Sequence, residues 1–452
     1  MKKLLLQLCM LASVSTAFGQ NALLQGSTTG TISSSSFADL CMVSDGTHAA
    51  LLVADMSSVY AIDIADNNAG EAAANTVTTI PNFVADKLNP LVGQSVTVID
   101  MVVNPISKSV YILGSAGANK VIFKVAKNGA DVSLVDLSNV TYSKMDWGSA
   151  LNINDMAYAD GKLYVSTGTF TLDGSLGWVS SPFAHNGSFS KRSTTLFKSN
   201  WGGSYFTTAP LETLTIGKID GTNRLMGVTT CAPGFSIDVN TLSGSGLLSV
   251  TEDFNIHQGQ SKKAIYMHHD GKDWLFDLHD SKLYRIGKKY LDGSQVTANK
   301  YDNNSTLLRD NSGNVKASLP EEEIKLMSGT TTLSMIAFWD NWSILLLESG
   351  ATGALTRSKM SVENPSDVSN VVTTQQIEIY PNPAHNNVTV NLPNNNASGT
   401  IQVINMNGSV ATKSNVNGKT ATIDISSLST GIYTLTVELE DGTSISEKLT
   451  VE

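Results

Sequence analysis

After its first twenty residues the chain has no hydrophobic run long enough to cross a bilayer, where a spanning helix needs roughly 20 apolar residues. Nothing in the mature chain therefore predicts a transmembrane segment. Basic charge is also scarce: 30 Lys and Arg face 40 Asp and Glu, a net charge of -10. No basic cluster interrupts this balance, which argues against nucleic acid as a partner. Cysteine is limited to three residues, of which Cys9 lies in the opening apolar run. Cys41 and Cys231 remain as a candidate disulfide in an oxidising compartment, and pairing or not stays open because sequence does not report their separation. Charged residues make up 15% of the chain, against about 25% in ordinary soluble proteins. Ser, Thr, Asn and Gly take their place, a mix that suits an extracellular β-protein with many tight turns.

Catalytic signatures are missing too. There is no His-Glu-x-x-His, no Gly-x-Ser-x-Gly elbow, no phosphate-binding glycine loop and no Asp-x-Asp-x-Asp-Gly calcium loop. The sequence therefore predicts no metal and no cofactor.

What is present begins at the N-terminus. Lys2 and Lys3 precede an apolar run from Leu4 to about Val14, and small residues lead to Ala17-Phe18-Gly19. This three-part layout predicts a signal peptide over 1–19, read by the Sec translocon and cut by signal peptidase before Gln20. No lipobox precedes a cysteine at that point. The 452 residues exceed the usual size of one domain, so more than one unit is expected.

From 20 to 360 the chain reads as short apolar strands joined by polar turns. Asp100-Met101-Val102-Val103 leads through Lys108 to Val110-Tyr111-Ile112-Leu113. Asp155-Met156-Ala157-Tyr158 leads through Gly161-Lys162 to Leu163-Tyr164-Val165 in the same cadence. Looser copies run from Ala54-Asp55 to Asp63, over 269–276, and from Trp339 to Leu347. Each is a hairpin that cannot bury both faces alone, and repetition near the spacing of known blades predicts a ring. The expected fold is all-β: a β-propeller of about seven blades, with two β-sandwiches in series as the competing arrangement. A long stretch from Gly168 to Pro210 breaks the rhythm and carries Trp178, Trp201 and Tyr205. It is expected to pack over one mouth of the ring, its aromatics either stacking on a ligand or filling a small core of their own. The region from Asn154 to Ile286, through Asp155-Met156, Asp160-Gly161-Lys162-Leu163-Tyr164-Val165 and Asp270-Gly271-Lys272-Asp273, resembles secreted bacterial propeller-like proteins. That resemblance implies fold without activity.

A polar linker is expected over 361–376. Beyond it, alternating strands separated by Asn407-Gly408, Asn417-Gly418 and Asp441-Gly442 predict a small immunoglobulin-like β-sandwich over 377–452. Its opening Tyr380-Pro381-Asn382-Pro383-Ala384, the Gly431-Ile432-Tyr433-Thr434-Leu435 strand and the closing Lys448-Leu449-Thr450-Val451 resemble the type A sorting domain of the Bacteroidetes type IX secretion system. The resemblance implies Sec export, recognition by the type IX outer-membrane translocon, and a secreted or cell-surface protein. It also makes Tyr380, Pro381, Asn382, Pro383, Gly431, Tyr433 and Lys448 the sorting signal. Family members often end on a lysine-rich strand, whereas this chain has Lys448 alone there, so anchoring or release is open.

The only concentration of reactive groups is His257, His268, His269 and His279 with Asp270, Asp273, Asp277 and Asp280. Imidazole beside carboxylate can bind ligands or move protons. The run His268-His269-Asp270-Gly271 instead looks like a hairpin tip, whose side chains diverge. His268, His269, Asp270, Trp178, Trp201 and Tyr205 are the candidate binding residues. The leading expectation is a propeller that binds an extracellular glycan or protein without catalysis. A propeller enzyme (a glycan hydrolase or lyase, or a quinone-type dehydrogenase) and a purely structural surface protein are the alternatives.

Overall fold

The computed structural model describes residues 21–452 except 34, 149–151, 170–171, 199–203, 207–209, 230–232, 252, 256–259, 270, 292–324, 327–330, 351–352, 361–376, 393–397, 406–409 and 440–443. The expected signal peptide, the linker, Cys231, Trp201, His257 and Asp270 fall outside the described residues. The chain divides into two compact units at Val368/Ser369.

The first unit is a β-propeller. Among its described residues we count six blades, each built on antiparallel hairpins, with a first strand that packs next to the first strands of two neighbours. Blade 1 begins with Asp39–Ser44, blade 2 with Ile153–Ala159 and blade 3 with Thr215–Ile219. Blade 4 begins with Ser261–His269, blade 5 with Leu333–Asp340 and blade 6 with Val96–Val103, which returns to blade 1. The cadence of apolar strand, polar turn and apolar strand that predicts each hairpin is realised: Asp100–Val103 pairs with Val110–Leu113, and Asp155–Ala159 with Lys162–Ser166. The tip of the second hairpin takes left-handed backbone at Asp160 (φ 49°) and Gly161 (φ 72°), as a tight hairpin turn needs.

The count differs from the expected seven for a topological reason. Of the described residues between Gly168 and Pro210, Leu172–Ser180 and Ser190–Lys198 do not cover a mouth but are the third and fourth strands of blade 2. Phe183 and Phe189 from the same segment are buried in the core between blades 1 and 2. Chain that seemed to lie outside the repeat thus completes a blade.

Nor do the blades follow one another in chain order. Blade 1 takes its outer strand from Val140–Asp146, which pairs with Ser58–Asp63 only after the whole of blade 6 has been laid down. Blade 5 takes its outer strand, Thr79–Ile80, from near the start of the chain, where it pairs with Leu355–Thr356. The ring is therefore closed twice by strands far apart in sequence. Phe83, wholly buried, packs into the core shared by blades 5 and 6, and its N–H donates to Gly353 O at 2.9 Å.

The second unit is a two-sheet sandwich. One sheet holds Glu378–Tyr380, Asn387–Asn391 and Thr420–Asp424; the other orders Val410–Asn417, Ser398–Ile404, Gly431–Leu439 and Ser444–Val451. Val388, Val390, Ile401, Val403, Leu435, Val437 and Leu449 face each other across it, the inward half of each alternating strand. Gly399 has no room for a side chain, since a Cβ there would lie 2.2 Å from Glu438 O on the adjacent strand.

Candidate functional site

The first strands of blades 1, 6, 2 and 4 each send one charged side chain into the centre of the ring. Lys263 Nζ donates to Asp155 Oδ1 at 3.0 Å, to Asp100 Oδ2 at 3.1 Å and to Asp39 Oδ1 at 3.4 Å. All four side chains are nearly inaccessible. A local irregularity precedes three of them: the register slips between Val98 and Asp100, Ile153 and Asp155, and Ser261 and Lys263. A bulge of this kind re-aims the residue that follows it, here towards the axis.

Backbone donors lock the carboxylates to neighbouring blades. Asp100 Oδ2 accepts from Leu40 N of blade 1 at 2.9 Å, and Asp155 Oδ2 from Leu214 N, just before blade 3, at 2.7 Å. Three carboxylates meet one ammonium, so negative charge is in excess. Burial raises Asp39 well above the ordinary carboxyl range; Lys263 opposes this, while Asp100 and Asp155 reinforce it. Burial likewise raises Asp155, against the pull of Lys263. Burial alone would depress Lys263, but Asp100, Asp155 and Asp39 together outweigh it and hold the ammonium charged. Burial and the crowding of like charge thus act in the same direction at Asp39 and Asp155, and Lys263 acts against both.

Next to this cluster a cavity of about 500 Å³ opens at the mouth where the first strands begin. Ser36, Asn152, Asn154, Glu212, Gln260 and Lys262 are among its lining residues, with Met56 and Ile153 supplying apolar surface. Ser261, 9% exposed, also lines it. Ser261 faces His279 across the blade 4 hairpin, and Asp277, two residues before His279, lies on the same side. Ser261 Oγ donates to Asp277 Oδ2 at 2.7 Å and lies 3.0 Å from His279 Nδ1. Burial pushes the Asp277 carboxyl up to about 7; the Ser261 bond opposes the shift, and the charges of Glu212 and Asp155 add to it.

The sequence-predicted His268 and His269 lie away from this cavity, and Trp201 and Asp270 fall outside the described residues. His268 and His269 end the strand on which Lys263 stands near the start, about 20 Å away at about 3.3 Å per residue. They diverge, as a hairpin tip requires. His268 is exposed and its Nδ1 lies 2.7 Å from Asp273 Oδ1, while His269 is buried against the Trp342 ring. Trp178 is half-buried against the core formed by Tyr164, Leu176 and Phe235. Tyr205 stands in a short strand opposite Phe197. Cys41 is buried in the core between blades 1 and 2. Among the described residues no three His, Cys, Asp or Glu side chains are grouped to hold a metal. Sequence reasoning missed the Asp39–Asp100–Asp155–Lys263 cluster and Ser261. A signal was present for two of them, since Asp100 and Asp155 head the two matching repeats.

In the second unit the opening motif is tied to the last strand. Asn382 Nδ2 donates to Lys448 O at 2.7 Å and Asn382 Oδ1 accepts from Thr450 N at 2.9 Å. Tyr433 Oη donates to Ser429 O at 2.8 Å, and the Tyr380 side chain stays half exposed.

Residues 378–452 match the family described as the secretion system C-terminal sorting domain. A tail of this family marks a secreted or cell-surface protein, and no helix among the described residues is long and apolar enough to cross a membrane. The search of curated proteins gives no match. Solved structures similar to this chain include the extracellular domain of BT4673 from B. thetaiotaomicron (12% identity, 92% of this chain and 69% of that one, TM-score 0.27). PorZ, a surface component of the type IX secretion system of Porphyromonas gingivalis, aligns at 11% identity over 92% of this chain and 81% of its own, TM-score 0.20. The β-propeller domain of Cps50 (Swd1) from Myceliophteria thermophila aligns at 11% identity over 94% and 100%, TM-score 0.31. Likenesses this distant bear on no function.

Proposed function

We propose that this secreted or cell-surface protein reaches the type IX translocon through Sec and binds a hydroxyl-rich ligand, a glycan, at the mouth of its propeller. The observation that carries the reading is the composition of the 500 Å³ cavity: amides from Asn152, Asn154 and Gln260, the Glu212 carboxylate and the Lys262 ammonium surround it. Amide and carboxylate groups supply both donors and acceptors, which hydroxyls need, and a concave polar site on a rigid ring orders few new groups on binding. The Lys263 cluster alongside fixes the strands that present these side chains.

The test is titration of the full chain with soluble polysaccharides, checking each ligand by mass afterwards. Saturable binding that falls at least tenfold in the double variant Asn152→Ala, Gln260→Ala supports the site. Binding unchanged by that variant, or absent across the panel, removes it.

A further inference from the structure

Ser261 lines the cavity and its hydroxyl is bonded to a buried carboxyl group. Its Oγ is bracketed, with Asp277 Oδ2 at 2.7 Å on one side and His279 Nδ1 at 3.0 Å on the other. A serine acts as a nucleophile when a base within hydrogen-bond reach takes its proton and other groups fix that base. We infer that Ser261 is a nucleophile towards acyl esters entering the propeller mouth, with Asp277 as its base and His279 orienting the hydroxyl. The inference rests on the mouth being the ligand site and names the substrate class: O-acyl groups on a hydroxyl-rich ligand.

The step balances with water as the only co-reactant. Oγ attacks the acyl carbon as its proton passes to Asp277 Oδ2. The tetrahedral centre collapses, the C–O bond to the leaving alkoxide breaks, and Asp277 returns the proton to that oxygen, so an alcohol departs. Water then gives a proton to Asp277 and adds to the acyl-serine, releasing a carboxylic acid and restoring the serine hydroxyl. The Lys262 ammonium and the Asn152 amide, both lining the cavity, are the donors suited to the developing oxyanion.

The electrostatics fit a base working near neutrality, where general-base catalysis is most effective. Asp277 sits at about 7 because it is buried, facing Ser261, with Glu212 and Asp155 adding negative potential. His279 lies 3.9 Å from Asp277 Oδ2, and Asp280 Oδ2 lies 3.8 Å from His279 Nε2. Lys263, on the same strand as Ser261, is committed to Asp155, Asp100 and Asp39.

The experiment treats the full chain with a fluorophosphonate, which needs no glycan recognition, and locates the adduct by peptide mass. The expected result is an adduct on Ser261 whose rate of formation rises with pH through about 7 and falls about 100-fold in Asp277→Asn. Hydrolysis of p-nitrophenyl acetate should vanish in Ser261→Ala while that variant keeps its folded tryptophan fluorescence. An unlabelled Ser261 in the folded wild type overturns the inference, whatever the variants do. So does a labelling rate indifferent to pH or to Asp277→Asn. Glycan binding without labelling leaves the mouth as a binding site and removes the chemistry; labelling without glycan binding does the reverse.

Discussion

Lys263 Nζ and Asp155 Oδ1 lie 3.0 Å apart across the centre of the ring, joining blade 4 to blade 2. Asp100 and Asp39 share the same ammonium, so one cation on blade 4 holds carboxyl groups from three other blades. Removing the cation strands three buried carboxyls, and breaking a buried pair from one side costs about 3–5 kcal/mol. Lys263→Met should therefore destabilise the propeller by that amount in denaturant unfolding. All 6 tryptophans lie before the sorting tail, so their fluorescence reads the propeller separately. A loss below about 1 kcal/mol, the range of exposed pairs, would mean that the cluster is not the desolvated arrangement described.

Asp277 gives a signed pH dependence. Its folded carboxyl stands at about 7 against an ordinary value of 3.8, so ionising it costs folding free energy. A group raised in this way contributes its stability fully below the ordinary value and loses it as pH climbs through the folded one. Wild-type melting temperature should therefore drop relative to Asp277→Asn between pH 4 and pH 8, with the gap levelling off above about 7. Parallel curves for the two proteins would contradict the burial of this carboxyl group.

Phe83 tests the ring's closure. Truncating a wholly buried phenylalanine costs about 3–5 kcal/mol, and this one packs on both blade 5 and blade 6. In Phe83→Ala, amide hydrogen exchange should accelerate in Leu333–Asp340 and in Val110–Ala116 together, although more than 200 residues separate them. Acceleration in only one of the two would show that the Thr79–Ile80 strand does not close the seam.

Asn382 should hold down the last strand of the sorting domain. Asn382→Ala removes both bonds to Lys448 and Thr450, each worth about 1 kcal/mol, and exchange at Ser444–Val451 should rise about tenfold. Asn382→Asp keeps the acceptor for Thr450 N and loses the donor to Lys448 O, so its effect should fall between. Equal protection in all three proteins would reduce the motif's asparagine to a bystander in folding.

Local pattern carried much of this architecture. Alternation and Asn-Gly turns predicted the C-terminal sandwich, and the cadence headed by Asp100 and Asp155 predicted propeller hairpins. The same cadence concealed the site, because an aspartate at the head of a repeat reads as a landmark until its axial partner is known. The histidine concentration shows how far sequence proximity and spatial proximity can part. His268 and His269 are adjacent in sequence and diverge in space, whereas His279 and Asp277 meet Ser261, 16 residues before Asp277, only because the hairpin folds back on itself. The Gly168–Pro210 stretch breaks the sequence rhythm, yet Leu172–Ser180 pairs with Lys162–Thr169 and Ser190–Lys198 pairs with Leu172–Ser180, which places both strands in blade 2.

The sequence alone determined what depends on neighbours along the chain: strand or turn, the face each strand buries, and a tail whose motif assigns it to an export family. Tertiary structure decided the six blades, their order and the meeting of Asp39, Asp100 and Asp155 at Lys263, pairs 108 to 224 residues apart. The reason is physical. A hairpin's hydrogen bonds are satisfied within about twenty residues, whereas blade number and axial chemistry depend on how sheets pack and how buried charge is neutralised, which no local pattern encodes.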